Sequence, residues 1–284
     1  MATSSGTPIA GARVESFIAN ATTDGEGRFT LTAPTGPPAN LGITVSADRH
    51  RPRETVIGFP RPGELLIDLM ATAPPFSETF YNQLARDAFE EPEKMYETYR
   101  WDRQLQFYLK TIDETLRPAS PEVLQVVRQG IRDGVRYFSG GKYEAIIEEG
   151  TADRPERTGW INVLLLQVLP VGDFCGYASS VGGNPMTINL RIDRCGCGSI
   201  KIPPELVQHE VGHALGMFHV EGNEHVMARN IEGGCRAVAP SAKEQYHAAL
   251  IYARPRGNRD PDRDPGGFAL ARPGRGVQGA PGRP

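Results

Sequence analysis

The segment IPPELVQHEVGHALGMFH, residues 202–219, contains three of the six histidines of the chain. A helix tolerates Pro203 and Pro204 only in its first turn, because neither residue supplies a backbone N–H. Gly216 is the type of residue that commonly ends a helix, since it adopts the left-handed conformation without a steric penalty. The segment therefore predicts a helix that begins at the two prolines and stops at Gly216.

The spacing of the three histidines predicts that they meet. His209 and His213 are one helical turn apart, so both imidazoles project from the same helix face. His219 follows ten residues after His209 and would lie roughly 15 Å away along the axis if the helix continued. We therefore expect the chain to turn back at Gly216, which brings the third imidazole to the other two.

Three imidazoles that meet in this way are typical of a catalytic zinc site. Three neutral imidazoles around a Zn²⁺ ion leave its fourth position open to water. Structural zinc sites differ, because four protein ligands fill all the positions. Glu210 is adjacent to the first of these ligands, and we interpret it as the general base for that activated water. Once protonated, the same carboxyl can deliver its proton to a departing amine. The eleven residues 209–219 thus predict zinc-dependent amide hydrolysis.

The pattern HEVGHALGMFH also fits H-E-x-x-H-x-x-G-x-x-H and so resembles the signature of the metzincin zinc peptidases. The stretches GWINVLLLQ, CGYASS and MTINLRID before it are similar to the strands of matrixin-like and astacin-like catalytic domains. For residues 118–253 the resemblance implies an α+β metzincin catalytic domain, with a mixed sheet plus the zinc-binding helix. It implies cleavage of extended polypeptides within the chain, a methionine turn at Met227, and a substrate-pairing edge strand formed by Gly176, Tyr177, Ala178 and Ser179.

Two features depart from the families that this domain resembles. Astacins have a tyrosine two residues after the turn methionine, and here that position is Arg229. No cysteine precedes Cys175, so the cysteine-switch latency of matrixins cannot operate within this chain. His225, just before the methionine, is expected to be a surface residue and not a fourth ligand.

The first 73 residues have a different pattern. Short alternating or apolar runs at 6–17, 27–34, 41–49 and 64–71 are separated by glycine-rich and proline-rich turns, which predicts a small antiparallel sandwich. GTPIAGARV, TTDGEGRFTL and ITVSADRHRP resemble the carboxypeptidase regulatory-like domain, an all-β transthyretin-like sandwich. The resemblance implies an accessory, adhesive or spacing role. The chain is therefore predicted to be multidomain, with this β-sandwich before the α+β domain.

The remaining segments complete this organisation. Apolar residues at mixed three and four spacings predict helices over 77–117, either as a bridge to the catalytic domain or as a pro-segment that blocks a cleft. Ser120 and Ser241 are predicted caps of two further helices, which end near Gly140 and residue 252. Strands are expected at 143–150, 159–170, 176–180 and 186–193. The Pro-, Gly- and Arg-rich residues 254–284 are predicted to be disordered.

Composition and cysteine usage bear on partners and location. The 31 basic and 34 acidic residues give a net charge of −3, which favours neither a nucleic acid nor an anionic membrane as partner. No apolar run is long enough for a transmembrane segment. The first residues, MATSSGTPIAG, lack the features of a signal peptide, which fits either a cytosolic chain or a mature secreted chain whose leader has been removed. The four cysteines suit two disulfides, four reduced thiols being the alternative. A disulfide between Cys195 and Cys197 would be strained. We therefore expect one of these two residues to pair with Cys175 and the other with Cys235.

Three functions fit these observations. The leading hypothesis is an extracytoplasmic zinc endopeptidase with an accessory β-sandwich. The sequence does not indicate its oligomeric state. A surface adhesion or binding protein with an inactive metzincin-like domain is the second, although the intact histidines and Glu210 argue against it. A cytosolic metallohydrolase for a small amide is the third, and the sandwich and the cysteines disfavour it.

Overall fold

The computed structural model describes residues 2–4, 6–32, 39–58, 65–169, 174–193, 195, 202–229 and 239–266. Its N-terminal part contains two sheets. One is three-stranded, in the order β2-β1-β7, and the other is four-stranded and antiparallel, in the order β4-β3-β5-β6. They share one hydrophobic cluster, in which Val14, Leu41 and Val45 are fully buried. The strands are β1 (Ala2–Ser4), β2 (Thr7–Pro8), β3 (Arg13–Ser16), β4 (Asn20–Thr22), β5 (Asn40–Ser46), β6 (Arg53–Gly58) and β7 (Ile67–Asp68).

The strands of this N-terminal part differ in detail from those predicted. The run at 27–34 is wrong as a strand, since residues 28–32 have no ladder partner in the structure. Strands β4 and β6 were not predicted. In β6 only Arg53 and Ile57 are buried, four positions apart, so the sequence RETVIG lacks the alternation that marks a half-buried strand.

A five-stranded sheet forms the second part of the molecule, in the order β11-β12-β10-β8-β9. Strands β12, β10, β8 and β9 are parallel, and β11 is antiparallel to β12 at one edge. The central strand β10 is buried along most of its length, as its apolar run predicts. The strands are β8 (Leu105–Lys110), β9 (Ala145–Gly150), β10 (Trp160–Leu166), β11 (Gly176–Ala178) and β12 (Met186–Arg191).

The helical prediction for residues 77–117 is wrong for most of that segment. Only α1 (Glu78–Arg86), capped by Ser77, is helical, and 105–110 is the sheet strand β8. The sequence LQFYLK is buried on both faces, and a short apolar run of that kind has no period that separates a strand from a helix. The domain predicted at 118–253 therefore begins before residue 118, because β8 lies between β10 and β9 in its sheet.

Three further helices are present near their predicted positions. They are α2 (Pro121–Phe138), α3 (Pro204–Ala214) and α4 (Ala242–Tyr252). Ser120 caps α2, and Ser241 forms a capping box with Glu244 at the start of α4. Helix α3 packs closely on α2, where a methyl group at Gly130 or Gly134 would overlap Val207 or Val211. This contact fixes the helix that carries the first two histidines.

The tail predicted to be disordered from residue 254 is packed against the rest of the chain as far as Asp264. Arg254 is completely buried and forms ion pairs with Asp262, at 2.8 Å, and with Asp68 of β7. Asp264 pairs with Arg53 of β6 at 2.8 Å. The arginines and aspartates that suggested a solvated coil are therefore partners of each other and of the N-terminal part, and they fasten that part to the rest of the chain. Residues 267–284 lie outside the described residues.

Candidate metal centre

The chain reverses direction at the end of α3, as the histidine spacing requires. Gly216 has φ of +100°, and a side chain there would also overlap the carbonyl group of Tyr99. The N–H of Gly216 donates to His213 O at 3.0 Å, and that of Met217 donates to Gly212 O at 2.9 Å. These two bonds close the end of the helix and turn the following residues back along it.

The turn brings the Nε2 atoms of the three predicted histidines together. His213 Nε2 lies 3.0 Å from His209 Nε2 and 3.1 Å from His219 Nε2. The distance between His209 Nε2 and His219 Nε2 is 3.3 Å. The three ring atoms thus form a nearly equilateral triangle at the surface of α3.

The opposite nitrogen of each ring has a hydrogen-bond acceptor. His209 Nδ1 lies 2.7 Å from Val226 O, and His213 Nδ1 lies 2.8 Å from Met217 O. His219 Nδ1 lies 3.1 Å from Glu90 Oε1. A carbonyl or carboxylate oxygen can only accept, so each Nδ1 carries a proton, and the Nε2 atom of each ring in its neutral form presents a lone pair. Three lone pairs then face one another, and a cation between them removes the repulsion.

Burial keeps the first two rings in the neutral form that a metal requires. Burial, and next the neighbouring His219, lower the pKa of His209 to about 3. Burial, together with His209 and His219, lowers the pKa of His213 well below its ordinary value. The three residues His209, His213 and His219 could therefore hold a metal ion.

Glu210 follows the first histidine in α3, and its side chain faces the sheet edge at Gly176. Its carboxylate covers Gly176 of β11, where a methyl group would overlap it, and it accepts a hydrogen bond from the Ala178 backbone. Its Oε2 atom is buried without a hydrogen-bond partner among the described residues. Burial raises the pKa of Glu210 to about 8. The helix that carries the first two histidines therefore also carries a carboxyl group of high proton affinity, packed on the sheet edge.

The strand β11 has one edge that no described strand covers. The N–H of Ser179 donates to Thr187 O, and the Cys175 carbonyl accepts from Arg191 N–H, both at 2.9 Å. Since backbone groups alternate in direction along an antiparallel pair, those of Gly176 and Ala178 point away from β12. The predicted docking strand is thus placed at the sheet edge, with outward backbone groups next to Glu210.

Met227 lies beneath the helix that carries the histidines. It is completely buried, and its sulfur lies against the backbone of α3 at Gly212, between the first two histidines. Its N–H donates to Glu244 Oε1 at 2.9 Å. The other oxygen of Glu244 accepts the N–H of Ser241 at 2.7 Å. Glu244 thus joins the methionine loop to α4, and its pattern with Ser241, S-x-x-E, could have indicated it as a capping residue.

His225, expected at the surface, is buried. Its ring packs against Phe80 of α1 with centroids 4.8 Å apart, and its Nδ1 lies 3.1 Å from Ser241 Oγ. The expectation was wrong because a histidine in a loop gives no signal of the helices that pack over it. Glu90 was missed altogether, since no sequence pattern connects it with a histidine 129 residues later.

A disulfide joins the edge strand to the loop that follows its neighbour. Cys175 precedes β11, Cys195 follows β12, and their Cα atoms are 5.4 Å apart. This pair is one of those that the sequence left open. Cys197 and Cys235 lie outside the described residues.

The comparisons with known proteins supply no family. No family description matches the chain, and no curated protein matches it. One solved structure that it resembles is described as the GM1-bound form of the ECX AB5 holotoxin, with 9% identity and a TM-score of 0.39. The alignment covers 59% of this chain and 89% of that chain. A likeness at this score carries no argument about function.

Proposed function

We propose that the protein is a zinc-dependent endopeptidase. One observation carries the proposal: three imidazole Nε2 atoms lie within 3.3 Å of one another, and the residue after the first of these histidines is a buried glutamate bonded to a sheet edge. The triangle supplies a metal site, Glu210 a proton acceptor, and β11 a place for a peptide backbone. In this proposal these three parts together hydrolyse an amide within a polypeptide.

Zinc is the ion that best fits the donor set. Imidazole nitrogens bind it at about 2.0–2.1 Å, and tetrahedral geometry then places two ligands about 3.3 Å apart. The observed separations of 3.0, 3.1 and 3.3 Å are close to that value. When bound, zinc supplies Lewis-acid activation of a water molecule and of the substrate carbonyl.

Glu210 is the residue that moves protons in this proposal. Its unpartnered Oε2 atom can accept a proton from the attacking water. Protonated, the carboxyl group then donates to the nitrogen of the departing amine. The bond from the Ala178 backbone holds the carboxyl group at the strand along which the substrate is proposed to lie.

The proposed substrate is an extended polypeptide that adds to the edge of β11. The outward backbone groups of Gly176 and the outward carbonyl of Ala178, whose N–H is bonded to Glu210, can pair with a substrate strand, so that main-chain hydrogen bonds supply affinity. This mode of binding recognises the backbone on both sides of a bond and needs no free terminus. It therefore favours cleavage within a chain.

We place the protein outside the cytoplasm, secreted or attached to a surface. The Cys175–Cys195 disulfide is compatible with an oxidising compartment. Among the described residues, no helix combines the length and hydropathy needed to cross a membrane. The N-terminal part then acts as an accessory domain.

The proposal is tested with a peptide library and an unfolded protein such as casein. The zinc-loaded chain is expected to cut internal bonds, detected as new termini by mass spectrometry. A zinc chelator should abolish the cuts, and added zinc should restore them. A chain that binds zinc but cuts no polypeptide would contradict the proposal and favour a binding role.

A further inference from the structure

The outer nitrogens of the three site imidazoles have partners from different parts of the chain. His209 and His213 bond to the carbonyls of Val226 and Met217, which belong to the same segment as the rings. The partner of His219 is instead a carboxylate, that of Glu90, 129 residues earlier. The third ring therefore depends on a segment far from the histidine pattern.

Glu90 is held next to His219 by the helix that it follows. The N–H of Phe218 donates to Leu84 O in α1 at 2.8 Å, so the residue before His219 is bonded directly to that helix. Helix α1 ends at a left-handed residue, Asp87, with φ of +60°. This sharp turn directs the following residues towards His219.

The loop that contains Glu90 is closed on its far side as well. The N–H of Tyr96 donates to Arg86 O at 3.0 Å, and the Arg86 guanidinium donates to Tyr96 O at 3.3 Å. The ring of Tyr96 stacks on Phe218 with centroids 5.9 Å apart. Both ends of the loop therefore contact the chain beside His219, and the position of Glu90 is determined by the fold.

We propose that Glu90 is a positioning residue for the third metal ligand, an inference that rests on the proposed zinc site. Its carboxylate accepts the Nδ1 proton of His219, so that Nε2 keeps the lone pair and the ring cannot rotate away. The need is greatest at this ring, because its side chain is 23% exposed and water competes for Nδ1. The other two rings are buried and bonded to backbone.

The carboxylate of Glu90 also gives a role to Arg229, which stands where astacins have a tyrosine. Arg229 Nε lies 3.3 Å from Glu90 Oε1, the atom that also faces His219. The guanidinium offsets the charge of a carboxylate that is only one-third exposed, and it restrains that carboxylate from the other side. Arg229 thus acts on the metal centre through Glu90.

The test compares zinc affinity in Glu90→Ala, Glu90→Gln and the wild-type chain by competition with a chromophoric chelator. Loss of a carboxylate partner typically weakens metal binding ~10–100-fold, so Glu90→Ala is expected to show that loss. Glu90→Gln retains an acceptor for Nδ1 and should fall between the other two. Glu93→Ala removes an exposed carboxylate from the same loop and should bind zinc as the wild type does.

A spectroscopic readout separates positioning from a general effect on folding. With Co²⁺ in place of zinc, Glu90→Ala should shift the visible ligand-field bands, while Glu93→Ala should leave them unchanged. Wild-type affinity and an unchanged spectrum in Glu90→Ala, or in Glu90→Gln if the alanine variant does not fold, would overturn the inference. Tight zinc binding without peptide cleavage would overturn only the proposed function, and a wild-type chain that binds no zinc would overturn both.

Discussion

The two buried polar clusters of this protein differ in how their charges are balanced. In the cluster around Arg254, each described charge has an opposite charge at hand: Arg254 pairs with Asp262 and Asp68, and Arg53 pairs with Asp264. In the histidine cluster, three Nε2 atoms face one another and one oxygen of Glu210 has no described partner. Both clusters are largely buried, so burial alone does not distinguish them.

The difference indicates what each cluster does. A buried polar group without a partner is costly, so a fold retains one where something else supplies the missing interaction. The Arg254 cluster is complete without any further component and therefore joins parts of the fold. The histidine cluster could be completed by a metal ion, and under the proposed function a substrate would complete the surroundings of Glu210.

The largest expected effect comes from removing the proton acceptor of the unbalanced cluster. Glu210→Gln preserves the shape of the side chain but cannot take a proton, so peptide cleavage should fall by ~10²–10⁴-fold while zinc is retained. Steady-state cleavage of a quenched peptide and the zinc content measure the two properties. Glu221→Gln, an exposed residue near the site, is the matched control and should keep its activity. An active Glu210→Gln variant would remove this residue from the mechanism.

The next largest effect comes from removing one charge from the Arg254 cluster, in which every described charge has a partner. Arg254→Met leaves Asp262 buried without its cation, which should lower the free energy of unfolding by ~3–5 kcal/mol. Arg259→Met, at a side chain that is 72% exposed, should change it by less than ~1 kcal/mol. Denaturant unfolding measures both variants. Equal stabilities would show that the Arg254 cluster does not join the parts of the fold.

A third effect is the stabilisation expected when zinc binds to the three histidines. Zinc at about 100 times its dissociation constant should raise the free energy of unfolding by ~2.7 kcal/mol, because it binds the folded chain. His213→Ala removes one ligand and should abolish most of this gain, whereas His50→Ala, at a residue remote from α3, should retain it. Thermal or denaturant unfolding with and without zinc decides the matter. A similar gain in His213→Ala would place the ion elsewhere.

The smallest effect concerns a buried histidine that has partners at both nitrogens. His247 Nε2 accepts the Ser77 N–H at 2.9 Å, and its Nδ1 lies 2.7 Å from Lys243 O. Burial lowers the pKa of His247 below its ordinary value, so the unfolded chain takes up a proton at a higher pH than the folded one does. Stability therefore falls as the pH drops below about 6.5.

Between pH 7 and pH 5.5 this residue should contribute a loss of at most about 1 kcal/mol, which His247→Gln should lack. The free energies of unfolding of both chains at the two pH values provide the measurement, made without zinc. If the two chains lose the same stability, His247 is protonated equally in both states and its pKa is not lowered by folding.

How far the sequence predicts this molecule depends on whether the signal is local. The helix caps at Ser120 and Ser241, the turn at Gly216 and the meeting of the three histidines all follow from residues a few positions apart. The strand at 105–110 does not, because an apolar run buried on both faces has no diagnostic period.

Contacts between distant segments could not be predicted from the sequence, because no local pattern indicates them. Glu90 meets His219 across 129 residues, and Arg53 meets Asp264 across 211. The tail that begins at Arg254 has the composition of a disordered segment, and its order comes from charges supplied by β6 and β7. Only the folded arrangement shows that those charges are near.

Titration of the metal-free chain with zinc, followed by calorimetry and by cleavage of a quenched peptide in the same samples, tests the central claim most directly. The account predicts that binding and cleavage rise together and reach a plateau at one ion per chain, and that His213→Ala shows neither. Cleavage that is independent of zinc, or zinc binding that saturates without any cleavage, would contradict it.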